Sequence, residues 1–394
     1  MFGFCKNSCW RTSFRYNVAL KAPHGTECIC FQNGDEDWTS RRDINDWISE
    51  NFGTVTLNRN FLCYNDEEPR ENHGTTSKGH SKGILAWSDT EIIWMIHSVP
   101  RWPHISDSFE EEAGQVERED ASGVKGPEGP EGPEGPNDAW FSMPQCFSCC
   151  PVFSFFGSSV ETKKAFNRIP KSQLIYAQSF AIVTTEFSRE LQTNIFHSLQ
   201  NMQVHVYQSS GFSLHVFPSV ALSDQLFAIQ LEPNVLHLGK SPELEKDFYA
   251  EGVVPYLKSN RCLVESWMRP AMEECDVVKH AKRIKWKRRT CTSGRRNNMV
   301  AELEDTAAAT TAISTEHTEA PWIKYSEGSD HSKWAISLHD YEDHRKKKYT
   351  NQNDRKWVLV GDMNRMKSQA HRGGGGVVFF DEKLWKLFYE IAED

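Results

Sequence analysis

The tripeptide His-Ser-Lys occurs at His80-Ser81-Lys82 and again at His331-Ser332-Lys333. Both copies run into strand-like sequence, Gly83-Ile84-Leu85-Ala86-Trp87 and Trp334-Ala335-Ile336-Ser337-Leu338. Side chains at i and i+2 of a strand share a face about 7 Å apart. Each tripeptide is therefore expected to offer an imidazole and an ammonium to one phosphate, with the serine turned away. Cleaving a phosphodiester without a metal needs a nucleophile, an acid for the leaving oxygen, and cations on the phosphoryl oxygens. Two histidines supply the first two if one is neutral while the other is protonated, a condition best met in mild acid. One copy alone reads as a solvated strand face; the duplication and its context carry the argument.

The elements around the tripeptides repeat as well. Each is followed by an apolar strand that holds a tryptophan and ends in polar residues, Trp94-Met95-Ile96-His97-Ser98 and Trp357-Val358-Leu359-Val360-Gly361-Asp362-Met363-Asn364. On this reading His97 and Asn364 occupy related places, and the longer second spacing is a hairpin loop carrying Arg345-Lys346-Lys347-Lys348. Residues 17–100 read as β-rich. Ser188 to Gln200 carries Leu191, Ile195 and Leu199 at helical spacing, before a strand-like Val204 to Tyr207. Leu244 to Leu257 reads as a helix, and Leu384 to Ile391 as an amphipathic closing helix. A disordered acidic insertion with a Gly-Pro-Glu repeat is expected at about 104–172, and a flexible segment at about 291–319.

The chain has 394 residues, enough for one large or two smaller domains, with 38% hydrophobic residues. Its formal charge of −9 is ill suited to a polyanion, but protonating all 15 histidines would bring it to +6. The odd count of 11 cysteines leaves at least one unpaired within the chain, and their spacings, like the acidic and His residues, do not form a metal cage. No metal or cofactor is expected. No run is long and apolar enough to span a bilayer, and Met1 to Arg15 has no signal-peptide core. The basic cluster Lys282 to Arg289 suits DNA backbone or a charged loop. The run Gly373 to Gly376 suits phosphate-facing amides or a plain turn. Trp87, Trp94 and Trp357 are expected in the core.

At these residues the sequence resembles deoxyribonuclease II, a branch of the phospholipase D superfamily. The matching segments run in family order: Lys21-Ala22-Pro23, Gly79 to Gly83, His97 to Arg101, Asp330 to Trp334, Gly361 to Arg365 and His371 to Gly375, with weaker matches at Tyr176 to Phe180 and Val264 to Trp267. The resemblance implies an α/β fold of two related phospholipase D-like lobes, mixed sheets flanked by helices, with the active site between them. The lobes would span 1–200 and 201–394, one His-Ser-Lys in each. It implies metal-independent acid cleavage of double-stranded DNA to 3′-phosphate ends, with a lysosomal or secreted address. It further implies that His331 is the nucleophile, His80 or His97 the acid, and Lys82, Lys333 and Asn364 the phosphate ligands. The chain departs from the family where cysteines are usual, at Ile182, Ala335, Leu359 and Val378, leaving Cys9 and Cys275 without their expected partners. That departure and the insertion favour a second reading, an impaired relative that binds DNA or acts as a secreted interaction protein. A third, a phospholipid diesterase, finds support only in the apolar Val152 to Phe156.

Overall fold

The computed structural model describes residues 14–52, 60–69, 79–107, 164–211, 224–267, 272–273, 275–281, 283–287, 322–326, 329–338 and 355–393. Most of the expected acidic insertion, the 291–319 segment expected to be flexible, Cys9 and the expected loop at Arg345 to Lys348 lie outside the described residues. The fold is mixed α and β, dominated by two large sheets.

The first sheet collects β1 (Arg15–Lys21), β2 (Cys28–Gln32), β3 (Thr39–Arg41), β4 (Asn60–Tyr64), β5 (Gly83–Trp87), β6 (Glu91–His97), β9 (Gln178–Glu186) and β10 (Val206–Ser210). The short β7 (Ile105–Asp107) and β8 (Lys164–Phe166) pair with each other at the two ends of the insertion. The second sheet collects β11 (Phe227–Glu232), β12 (Val235–Lys240), β13 (Arg261–Glu265), β14 (Val278–His280), β17 (Trp334–Leu338), β18 (Val358–Gly361) and β19 (Gly374–Phe379). A third, three-stranded sheet holds β15 (Arg283–Lys287) between β16 (Trp322–Ser326) and β20 (Ala392–Glu393), so the basic cluster is strand where it is described.

The two large sheets share a five-stranded antiparallel centre with one connectivity. In space the first runs β4-β5-β6-β9-β1 and the second β13-β17-β18-β19-β12. Only their edges differ: β10 runs antiparallel to β4, whereas β14 runs parallel to β13. The sheet expected to be mixed is thus mixed only in the second case. The first sheet also draws its edge strand β10 from beyond residue 200.

Alternation of side chains along the strands creates the layers. Leu85, Trp94, Ile96 and Val183 face Ile336, Val360 and Val377 in one core that joins the sheets. Helices α2 (Arg189–Asn201) and α3 (Glu382–Ile391) add Ile195, Leu199, Leu384 and Phe388 to it. Ser188 and Asp381 cap these helices through Leu191 N (3.0 Å) and Lys383 N (2.8 Å). The opposite face of the first sheet packs Ile84, Met95 and Ile182 on α1 (Ile44–Phe52). The opposite face of the second packs Ala335, Leu359 and Val378 with Phe248 and Val253. The four positions where the family usually has cysteine are therefore apolar core. Trp87, Trp94 and Trp357 are buried as expected.

The helix expected over Leu244 to Leu257 is broken into Pro242–Leu244, a wide turn at Phe248–Val253, and Val254–Tyr256. Asp247 causes the restart, its carboxylate accepting from Tyr249 N at 2.9 Å and pairing with buried Arg365 at 2.9 Å. Among the described residues no helix is long and apolar enough to cross a membrane.

His237 of β12 links the sheets, its ring 4.5 Å from that of Trp94. Burial lowers its pKa to about 3. Because the unfolded chain takes up that proton first, near pH 6.5, stability falls as pH drops from about 6.5 toward 3. The stability deficit of His237→Asn should shrink by up to about 1.4 kcal/mol per pH unit between pH 6 and 4.5. Urea melts of both proteins at the two pH values would check this; a constant gap would contradict it.

Candidate active site

All six candidate residues lie at or next to the ends of the central strands, where the two sheets meet. The His-Ser-Lys tripeptides immediately precede β5 and β17 rather than forming part of them. Their backbones are therefore free to pair outside their own sheet. His80 N donates to Gly373 O at 2.6 Å, and His331 N donates to Ala177 O at 2.9 Å. Gly373 and Ala177 each immediately precede the strand of the opposite sheet, β19 and β9. Each histidine is thus hung on the other half of the molecule.

The halves repeat this pattern bond for bond. His97 N donates to Lys82 O (3.2 Å), and Gly361 N to Lys333 O (2.9 Å). Ser179 N donates to Ser98 Oγ, and Gly375 N to Asp362 Oδ1, both at 2.9 Å. Buried Lys21 and Lys240 end β1 and β12 and donate to Leu174 O (3.1 Å) and Ala370 O (2.7 Å), each four residues before the facing strand. This register makes His97 the counterpart of Gly361, and Pro100 the counterpart of Asn364. The expected equivalence of His97 and Asn364 is corrected by three positions.

The glycine run is neither a turn nor an amide cradle in solvent. It forms buried strand β19 where backbones press together, and a Cβ on Gly373 would lie 2.1 Å from Met202 O. The serine of the first tripeptide, turned away from the phosphate as expected, bonds the other half, and Ser179 contributes beside it. Ser81 Oγ donates to Asp362 Oδ2 of the other half, and Lys333 N donates to Ser179 Oγ at 3.0 Å.

An open cleft of about 260 Å³ is lined by His80, Lys82, His331, Lys333 and Asn364, together with Ser98 and Trp267. Five of the six candidates therefore converge. His97 does not join them. It follows the parity of Ile93 and Met95, which puts it on the face of the first sheet away from the second. Its ring packs on Trp102 (4.9 Å) and Phe180 (6.3 Å), and its Nδ1 accepts from Val99 N. Burial, with the charges of Lys82 and Lys333, holds it neutral, well below the usual histidine range.

His80 is gripped by a residue that sequence reasoning missed. Asp66, two residues past β4, contacts His80 Nδ1 at 2.7 Å, the Lys82 ammonium, and Arg372 at 3.0 Å. Burial pushes the Asp66 carboxyl up, but His80, Lys82 and Arg372 outweigh it and hold it well below the carboxylate range. With Asp66 ionised, His80 Nδ1–H is the donor, leaving the Nε2 lone pair for Asn364 Nδ2 at 3.2 Å. Burial lowers the His80 pKa to about 3 despite the opposing pull of Asp66. An acidic residue 14 positions before His80 was the available clue, in a run, Asp66-Glu67-Glu68, that composition alone assigns to solvent.

His331 is flanked differently. Tyr176 stacks on it, with centroids 3.9 Å apart and planes at 13°, and Trp267 closes against it at 3.6 Å. Lys333 Nζ donates to His331 O at 2.6 Å, and burial with the nearby Lys82 charge lowers its pKa to about 7. Burial raises Asp362 to about 6. As pH falls through 7 the site therefore gains positive charge at Lys333, and through 6 it loses negative charge at Asp362.

Comparisons with known proteins point to one family. A family model described as Deoxyribonuclease II matches residues 16–394. The chain is similar to cell-death-related nuclease 7 of Caenorhabditis elegans, 23% identical over 98% of this chain and 86% of that one. It is also similar to human deoxyribonuclease-2-beta, 22% identical over 88% of this chain and 72% of that one. Putative deoxyribonuclease-2 of Burkholderia thailandensis is 23% identical over 86% and 73%.

The placement of His97 has a direct check. Its ring nitrogens should keep neutral-imidazole ¹⁵N shifts from pH 7.5 to 5, read on selectively labelled protein. A titration midpoint near its ordinary value of about 6.5 would contradict the burial.

Proposed function

The chain belongs to the deoxyribonuclease II family, which makes it a deoxyribonuclease, and from that premise we propose metal-independent, acid-favoured cleavage of double-stranded DNA to 3′-phosphate ends. The observation that carries the proposal is the convergence of His80, Lys82, His331, Lys333 and Asn364 on one cleft built from both halves. The same reading makes the halves two related phospholipase D-like lobes, a view supported by their shared strand order and matching hydrogen bonds. It carries with it a lysosomal or secreted location.

In the proposed sequence a ring nitrogen of His331 uses its lone pair to form a bond to phosphorus. The P–O5′ bond breaks, and O5′ leaves with its electron pair and takes a proton from His80 Nε2. In the second step His80 Nε2 takes a proton from water, whose oxygen bonds phosphorus as the N–P pair returns to His331. The strand keeps its 3′-phosphate. His97 is withdrawn as the acid, because it is walled off from the cleft by its own strand parity.

Lys82, Lys333 and the Asn364 amide would share the phosphoryl charge, the work a metal ion does elsewhere. Burial holds His80 neutral, and a phosphate monoanion beside it raises its affinity for a proton. Acid also charges Lys333 and discharges Asp362, so three changes act in the same direction. Binding and chemistry should therefore both weaken as pH rises through 6 to 7.

The test is plasmid nicking with excess EDTA between about pH 4.5 and 8, with His331→Ala beside the wild type. The proposal expects EDTA-resistant nicking that is strongest in acid. His331→Ala should abolish it while DNA binding stays within a few-fold, since several cations share the grip. Strong residual nicking by that variant would sink the mechanism. Folded wild type that binds DNA without nicking it would move the reading to an impaired relative.

A further inference from the structure

We infer that Asp66 and Arg372 are positioning residues that make His80 the proton-transfer histidine, while Tyr176 and Trp267 take the same two places around His331 and fit it for attack. The inference rests on the phosphodiesterase reading above.

The places correspond by register. Tyr64 faces Gly83 across β4 and β5, and Glu265 faces Trp334 across β13 and β17. Asp66 and Trp267 each lie two residues past those strand ends, on the two halves. Arg372 and Tyr176 each lie two residues before the start of the matching strands, β19 and β9. Each histidine therefore meets one residue from its own half and one from the other, at positions shared by both halves. The residues at those positions differ in chemistry.

Around His80 they are charged. Asp66 accepts from Nδ1, and Arg372 reaches both the Asp66 carboxylate at 3.0 Å and Gly79 O at 3.2 Å. This fixes the tautomer that turns Nε2 to the cleft, and it places a carboxylate where it stabilises the ring once Nε2 is protonated. Around His331 the same positions carry the uncharged rings of Tyr176 and Trp267. Aromatic faces hold the ring plane and offer no acceptor to a ring N–H. A charged carboxylate accepts a charge-assisted hydrogen bond that strengthens when the ring becomes cationic. The carboxylate partner therefore suits His80 to carry the proton to and from the leaving oxygen beside a bound phosphate, while the two rings set the plane in which His331 attacks.

The roles separate when the leaving group no longer needs a proton. Thymidine 3′-(p-nitrophenyl phosphate) loses nitrophenolate unaided, whereas DNA loses an alkoxide that must be protonated. Because the second step uses His80 with either substrate, the first turnover is what separates them. Asp66→Asn should slow single-turnover DNA nicking about 100-fold or more yet slow the first-turnover burst of nitrophenolate less than about 5-fold. Arg372→Gln, which leaves the Lys82–Asp66 pair in place, should show the same split at smaller size and covers the case in which Asp66→Asn does not fold. Trp267→Leu should slow both substrates in the same proportion, and Trp267→Phe should recover most of both. Equal losses on both substrates for Asp66→Asn or Arg372→Gln would overturn the inference, as would a Trp267→Leu variant that spares the nitrophenyl ester. Wild type inert toward both substrates would overturn the phosphodiesterase reading and the positioning roles with it.

Discussion

Two reciprocal backbone hydrogen bonds hold this site together, His80 N to Gly373 O and His331 N to Ala177 O. Each takes a catalytic candidate from one sheet and fixes it to the strand start of the other. The cleft exists only while both sheets are in place, and the rest of the architecture serves that closeness. The shared core of Leu85, Trp94, Val183, Ile336, Val360 and Val377 brings the sheets together. Gly373 to Gly376 let the backbones press to a distance that any side chain would prevent. Ser81 and Asp362 join the halves across the same line.

That closeness concentrates charge. Asp66, His80, Lys82, Lys333 and Asp362 are all nearly fully buried within the same small volume. Low dielectric surroundings penalise every charge that lacks a partner. Asp66 is stabilised by three cationic or hydrogen-bonding neighbours and stays ionised; Asp362, bonded mostly to neutral donors, is pushed up toward 6. Lys333 is pushed down by the same burial and by Lys82. A phosphate in the cleft would supply a counter-charge to Lys333, which donates to the His331 carbonyl. The ground-state cost of a crowded cationic cleft therefore becomes selectivity for an anion.

Much of this was legible in the residues. The duplicated His-Ser-Lys, the strands after each copy, helices α2 and α3 and the buried tryptophans all appear where local pattern puts them. Period-two alternation and 3.6-residue spacing are short-range signals, and they survive in the fold. What was not legible depends on long-range register. Counting from a polar strand end matched His97 with Asn364, but the hairpin hydrogen bonds match His97 with Gly361. A three-residue offset places one histidine behind the sheet and one amide in the cleft. Asp66 carried no local pattern at all, because its meaning comes from neighbours as far away as Arg372. The glycine run looked like a turn for the same reason, since the atoms that demand glycine belong to distant strands. The helix from Leu244 to Leu257 fails because Asp247 is claimed by Arg365, 118 residues away.

The central claim is that the two halves build one site around a histidine that becomes covalently phosphorylated. Rapid mixing with DNA in mild acid, quenching in alkali to preserve phosphohistidine, and peptide mass spectrometry would test it most directly. The account predicts a DNA 3′-phosphoryl adduct on His331, absent from His331→Ala. An adduct on His80, or fast cleavage with no trapped adduct at any histidine, would contradict it.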